Sequence, residues 1–128
     1  MSIEKTVMMK KARAVKFDTL QRVILYVKDA QKSATWYGKT LGLKIRCAEP
    51  GWAELETVGA TLSLHGGRTE KNSKQQTHVS FRVDDFDAAY KHLKKHETRV
   101  SAIFSPCHGT RGAAFSDPDG NSLGIEGK

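Results

Sequence analysis

The sequence predicts an α+β domain of two paired βαβββ modules, and three observations predict it. The order strand, helix, three short strands occurs twice along the chain. Matching residues fall at matching places: Val27-Lys28-Asp29 answers Val83-Asp84-Asp85, and Gly59-x-x-Leu62-x-Leu64 answers Gly120-x-x-Leu123-x-Ile125. Apolar residues alternate with polar ones along the strands, so each sheet has one face to bury, under helices packed outside.

Arg22-Val23-Ile24-Leu25-Tyr26-Val27 is rich in β-branched and aromatic residues and opens the first module as a strand. Asp29 stands as the N-cap of a helix over 30–41. Gly42 ends it, because glycine takes the left-handed backbone of a helix end at no steric cost. Strands over 44–48, 52–57 and 60–65 follow, divided by turns at Pro50-Gly51 and Val58-Gly59. The second module repeats the order with a strand at 78–83, Asp84-Asp85 as the cap, a helix over 86–97, and strands at 99–104, 110–116 and 122–126. Asp117-Pro118-Asp119-Gly120 turns the last pair, proline presetting φ at the second turn position. Read as a calcium loop, the same run lacks the further ligands and the distant glutamate. The reading divides the chain into a basic tail at 1–18 and one domain at 19–126, with module one at 19–66, a linker at 67–76 and module two at 77–126.

With 128 residues and 14.2 kDa there is room for one such domain, and a chain of that length buries roughly two thirds of its unfolded surface without a staple. A hydrophobic fraction of 38% against 27% charged excludes wholesale disorder. The apolar runs are too short to span a bilayer, and no secretory signal pattern is present. Cys47 and Cys107 form no C-x-x-C pair and read as reduced thiols of a cytoplasmic protein. The net charge of +7 invites a nucleic-acid partner, but residues 1–17 hold Lys5, Lys10, Lys11, Arg13 and Lys16 against Glu4. Four of the seven charges therefore sit in the tail. No aromatics interleave with the remaining lysines as a base-stacking surface requires, which argues against nucleic acid.

The period of two puts Arg22, Tyr26, Ser63, His65, His78, Ser80, Arg82 and Glu126 on the polar faces of the sheets. Those faces are either the walls of a cavity or a plain solvated surface, and periodicity does not choose between them. An arginine is always charged, so covering Arg22 or Arg82 demands a carboxylate, with Glu54 and Glu56 at hand, or an anionic ligand. His78 is suited to ligate a metal, act as a base or donate to a ligand, or else it is a satisfied structural histidine. Trp52 and Tyr26 offer flat apolar walls, or core. Cys107-His108 has the residue types of a nucleophile and its base, yet neighbours on an extended segment point apart, and Pro106 and Gly109 mark a loop. Gly66-Gly67-Arg68 is followed by no helix N-terminus to complete a phosphate cradle, so it reads as the linker between modules, or a lid. No catalytic residue is assigned.

Several of these runs resemble one family. Val27-Lys28-Asp29, Trp36-Tyr37-Gly38 and Leu41-Gly42-Leu43 are similar to the opening module of the vicinal oxygen chelate superfamily. His78 to Asp85 and Ala114 to Asn121 are similar to its second. That superfamily includes glyoxalase I, bleomycin-resistance proteins, fosfomycin-resistance enzymes and extradiol dioxygenases. The resemblance, over about residues 20–126, implies paired βαβββ modules forming a cupped mixed sheet with helices outside, and a homodimer whose cups each take one module from either chain. It turns the polar faces into cavity walls. The four metal-ligand positions of the family fall on Arg22, Ser63, His78 and Gly124, of which only His78 matches. The expected function is binding of a small, anionic or polar-aromatic molecule by Arg22, Tyr26, Trp52, Ser63, His65, His78, Arg82 and Glu126, with no cofactor. The alternative is a metal-dependent lyase, isomerase or dioxygenase, lactoylglutathione-lyase-like or dioxygenase-like. It would use His78 with His65 and Glu126 as displaced ligands for zinc, nickel, manganese or iron.

Overall fold

A computed structural model of the chain describes residues 20–69, 77–96, 98–106 and 109–128. The tail read over 1–18, most of the linker read over 67–76 and the Cys107-His108 pair lie outside the described residues. Along the chain run β1 (Arg22–Tyr26), α1 (Ala30–Leu41), β2 (Lys44–Glu49), β3 (Trp52–Glu56), β4 (Thr61–His65), β5 (His78–Arg82), α2 (Phe86–Lys95), β6 (Arg111–Ser116) and β7 (Ser122–Gly127).

One sheet has the order β1-β4-β3-β2 and the other β5-β7-β6. In each, the first strand of the module pairs in parallel with the last, Arg22 opposite Thr61 and His78 opposite Ser122, and the other pairs are antiparallel. Both sheets are therefore mixed, and the repeat in sequence is a repeat in topology.

The second sheet departs from expectation at residues 99–104, which make one isolated bridge, Phe104 with Gly112, in place of a strand. The Ser101 N–H still reaches the Ala114 carbonyl at 2.8 Å, and the Ser101 hydroxyl accepts the Ala114 N–H at 2.9 Å. One residue more lies between Ser101 and Phe104 than between Gly112 and Ala114. That extra residue breaks the ladder.

The helix ends follow the sequence closely. Asp29 and Asp85 have extended backbones, and their carboxylates accept the N–H groups of Lys32 and Ala88, each at 3.0 Å. Gly42 has φ 72° and returns its N–H to the Gly38 carbonyl at 3.1 Å. Leu25, Val27, Leu55, Leu62 and Leu64 with Ala30, Ala34 and Tyr37 of α1, and Phe115, Leu123 and Ile125 with Phe86 and Leu93 of α2, belong to one core cluster. Each large side chain so buried contributes about 1.5–3 kcal/mol.

Polar contacts join the modules. The Tyr37 hydroxyl donates to Asp117 at 2.7 Å, the Lys28 N–H to Asp119 at 3.0 Å, and the Asn121 amide to the Tyr26 carbonyl at 3.1 Å. Burial, reinforced by the Asp117 carboxylate, pushes the Tyr37 phenol far above its ordinary range, so it stays a donor. Residues 66–68, read as the linker between modules or a lid, are hydrogen-bonded: Gly67 and Arg68 give their N–H groups to Lys28 and Val27, and the Arg68 guanidinium donates to Asn121 at 2.9 Å. No helix among the described residues is long and apolar enough to cross a membrane.

Candidate functional site

The polar face of the first sheet carries a connected network across all four strands. Ser63 has no exposed surface, and its hydroxyl oxygen accepts from Arg22 Nη1 at 2.6 Å. The same nitrogen reaches Glu54 Oε2 at 3.3 Å, and the Trp52 indole N–H donates to that oxygen at 2.9 Å. The Arg22 guanidinium carbon lies 5.5 Å from the centre of the Trp52 ring, close enough for a cation–π attraction. Arg46 approaches from β2, with Nη1 3.3 Å from Glu54 Oε1 and 3.2 Å from the Thr61 hydroxyl, and Nε 3.6 Å from Glu56. The internal arginine–glutamate pairing that the sequence left open is thus present for Arg22, while Glu54 serves two guanidiniums.

Further along the same face stands an aromatic wall. The Tyr26 and His65 rings are 5.0 Å apart, and His65 meets Trp52 edge-on at 6.2 Å. The His65 Nδ1 pairs with the Gly66 carbonyl at 2.8 Å, which fixes the ring. Tyr26 is 42% exposed, so the wall faces outward from this chain.

On the second sheet, His78 Nδ1 pairs with the Ser122 hydroxyl at 2.7 Å, and its ring lies over Gly124. A Cβ at Gly124 would stand 2.8 Å from His78 Nε2, so the missing side chain is what lets the imidazole lie there. Phe104 covers Gly112 in the same manner. Ser80, Arg82 and Glu126 line a cleft of about 550 Å³. Arg82 and Glu126 are register partners, yet neither makes an ion pair among the described residues.

Of the predicted residues, the structure brings together Arg22, Ser63 and Trp52 in one network and Tyr26, His65 and Trp52 in one wall. His78 stands apart with Ser122, and Arg82 with Glu126. His65 belongs to the first sheet, whereas His78 and Glu126 belong to the second. Among the described residues no three His, Cys, Asp or Glu side chains are placed to hold a metal ion. Sequence reading missed Arg46, Thr61 and Ser122. Thr61 and Ser122 were within reach, since each is the register partner of a predicted residue, Arg22 or His78.

The Trp52 N–H, then the guanidiniums of Arg22 and Arg46, hold the Glu54 carboxyl below its ordinary value of 4.5. A carboxylate depressed on folding contributes stability that is present above its unfolded pKa and lost as pH falls through its folded one. The melting temperature of wild type should therefore exceed that of Glu54→Gln near neutral pH, and the difference should close below 4.5. A gap that persisted unchanged into acid would place the stabilisation elsewhere.

The family model described as Glyoxalase/Bleomycin resistance protein/Dioxygenase superfamily matches residues 19–125. Among solved structures, the chain is similar to TnmS3, an antibiotic binding protein from Streptomyces sp. CB03234, at 26% identity and TM-score 0.71, over 89% of this chain and 98% of that one. It is similar to the oxidase ChaP-H2 at 25% identity and TM-score 0.70, over 88% of this chain and 95% of that one. A lactoylglutathione lyase from Agrobacterium tumefaciens shares the fold at 21% identity and TM-score 0.73, over 88% and 95% of the two chains. No curated protein matches.

Proposed function

The chain belongs to the Glyoxalase/Bleomycin resistance protein/Dioxygenase superfamily, and from that premise we propose that it binds a small aromatic anion on its polar sheet faces without a four-ligand metal centre. The observation that carries this reading is Arg22, a permanent cation on the first strand, held by Ser63 and Glu54 beside the face of Trp52. The four positions where family members place metal ligands do not suit a divalent cation here. Arg22 repels one and already occupies the Ser63 oxygen, Gly124 offers no donor, and the His78 ring fills the space a side chain at Gly124 would need. The same guanidinium attracts a carboxylate or sulfonate, and the Tyr26–His65–Trp52 wall suits a flat ring. The similarity to an antibiotic binding protein agrees with a binding role.

A second copy of the chain completes the cavity in this reading. Ile24, Tyr26, Ile103 and Phe104 are 37–47% exposed, and a facing module would cover such side chains. The reading is tested by titrating small aryl carboxylates and sulfonates while following Trp52 fluorescence, with Trp36→Phe as the background. Arg22→Ala should weaken binding by about 1.5–3 kcal/mol, the range for a hydrogen bond to a charged group. Chelator should change nothing, and sedimentation at micromolar concentration should give a dimer. Stoichiometric metal in protein purified without added metal, with activity lost on its removal, would reverse the assignment.

A further inference from the structure

Arg46 stands two residues beyond Lys44, the register partner of Glu56, so alternation along β2 puts it on the polar face. The ladder between β2 and β3 pairs Ile45 with Leu55 and then Cys47 with Glu54, so two residues of β2, Arg46 and Cys47, stand against Glu54. The bulge shifts the alternation from Cys47 onward and leaves Arg46 in phase with Lys44. From that face the guanidinium reaches Glu54, Glu56 and Thr61, whose own strands place them on the same face. Arg22 arrives at the same carboxylate from β1, at the opposite edge of the sheet. Glu54 thus separates two cations, Arg22 on Oε2 and Arg46 on Oε1, each at 3.3 Å.

Neither guanidinium is fully engaged. Both contacts to Glu54 use one nitrogen and are longer than the 2.8 Å that Arg111 reaches on Asp87 in the same chain. Each guanidinium carries five N–H donors. Nη2 of Arg22 and of Arg46 has no protein partner among the described residues, and the side chains remain 30% and 45% exposed. Lys44 adds a third cation on Glu56 at 3.9 Å, so Arg22, Arg46 and Lys44 outnumber Glu54 and Glu56. The surplus charge and the spare donors lie on one face, beside Trp52.

We propose that Arg46 is a second anion-binding residue, and that Arg22 and Arg46 together seat one oxyanion with at least two oxygens, a carboxylate or sulfonate on a flat ring. This rests on the reading of the site given above. Glu54 acts as a positioning residue that holds the two guanidiniums a carboxylate's width apart. Arg82 lies on the other sheet of this chain.

The test uses the full chain with 2-naphthalenesulfonate and its neutral counterpart 2-naphthol, following intrinsic fluorescence. Arg46→Met should weaken sulfonate binding roughly ten-fold or more, and leave naphthol within about two-fold. Arg22→Met should do the same. The double variant should lose less than the product of the two single losses, because both arginines act on one oxyanion. Arg46→Lys keeps the charge but not the fork, and should fall between wild type and Arg46→Met. Melting temperatures confirm that each variant is folded. If Arg22→Met loses ten-fold while Arg46→Met stays within two-fold of wild type, the role of Arg46 is overturned and the site reading stands. If wild type binds no sulfonate, or binds it irrespective of both arginines, both fall.

Discussion

Asp117→Ala is expected to cost the fold about 3–5 kcal/mol, read as a lower urea midpoint at unchanged slope. The carboxylate is 5% exposed and accepts four hydrogen bonds. Oδ1 takes the N–H groups of Asp119 at 2.9 Å and Asn121 at 2.8 Å; Oδ2 takes the Tyr37 hydroxyl at 2.7 Å and the Asn121 amide at 2.8 Å. Alanine removes the acceptor and leaves several donors in a place water reaches poorly, at about 1–3 kcal/mol for each that stays unsatisfied. Tyr37→Phe removes one donor and should cost only about 1–3 kcal/mol. Asp117→Asn keeps one carbonyl oxygen but turns an N–H₂ toward other donors, so it should resemble alanine more than wild type. A loss below about 1 kcal/mol for Asp117→Ala would mean that the turn is not what joins the modules.

The two modules repeat each other, but their final turns do not do the same work. The Asp117 turn reaches across to Tyr37 and to the end of β1. Its counterpart between β3 and β4, around Val58 and Gly59, carries no such carboxylate. A cleft of about 690 Å³ opens there, lined by Val58, Gly59, Val79 and Phe81 among others, and Val58 is fully exposed. Alternation along β5 puts Val79 and Phe81 on its apolar face, and both pack against the core while staying only half-buried. Local pattern names the face a residue takes. It does not say whether the neighbouring module closes over that face.

The same limit explains what sequence missed at the site. Strand, helix and cap positions are local, and Asp29, Gly42 and Asp85 stand where local chemistry placed them. Alternation puts Arg46 on the same face of β2 as Lys44, but which carboxylates lie across from it is set by the β2–β3 register, which no composition or period reveals. Alternation placed Arg22 and Arg82 alike on polar faces. Alternation does not say which strands share a sheet, and theirs do not. The broken strand at 99–104 has one residue too many for the ladder opposite Gly112 and Ala114.

Gly66→Ala is the other substitution expected to be severe, at about 3 kcal/mol or more, and it links the fold to the aromatic wall. A Cβ on Gly66 would stand 2.1 Å from the Pro50 carbonyl oxygen and 3.1 Å from the Gly51 Cα. Backbone cannot swing away as a side chain does. The Pro50 carbonyl is held by the Ala30 N–H at 2.9 Å, at the first turn of α1, and the Gly51 carbonyl by the Gly66 N–H at 2.9 Å. Relief of the clash must therefore move the β2–β3 turn or the end of β4. Either movement shifts the Gly66 carbonyl that fixes the His65 ring, and with it the contacts of His65 to Tyr26 and Trp52. The neighbouring glycine supplies the control. Gly67 has φ 89° and open space where its Cβ would be, so Gly67→Ala meets conformational strain without a clash and should cost about 1–2 kcal/mol. Urea denaturation should rank Gly66→Ala well below Gly67→Ala. Binding of 2-naphthol, which calls on the wall and not on the arginines, should weaken in Gly66→Ala under conditions where that variant is still folded. Equal losses of stability in the two variants would show that the Pro50–Gly66 approach is not tight, and would leave the wall free to adjust.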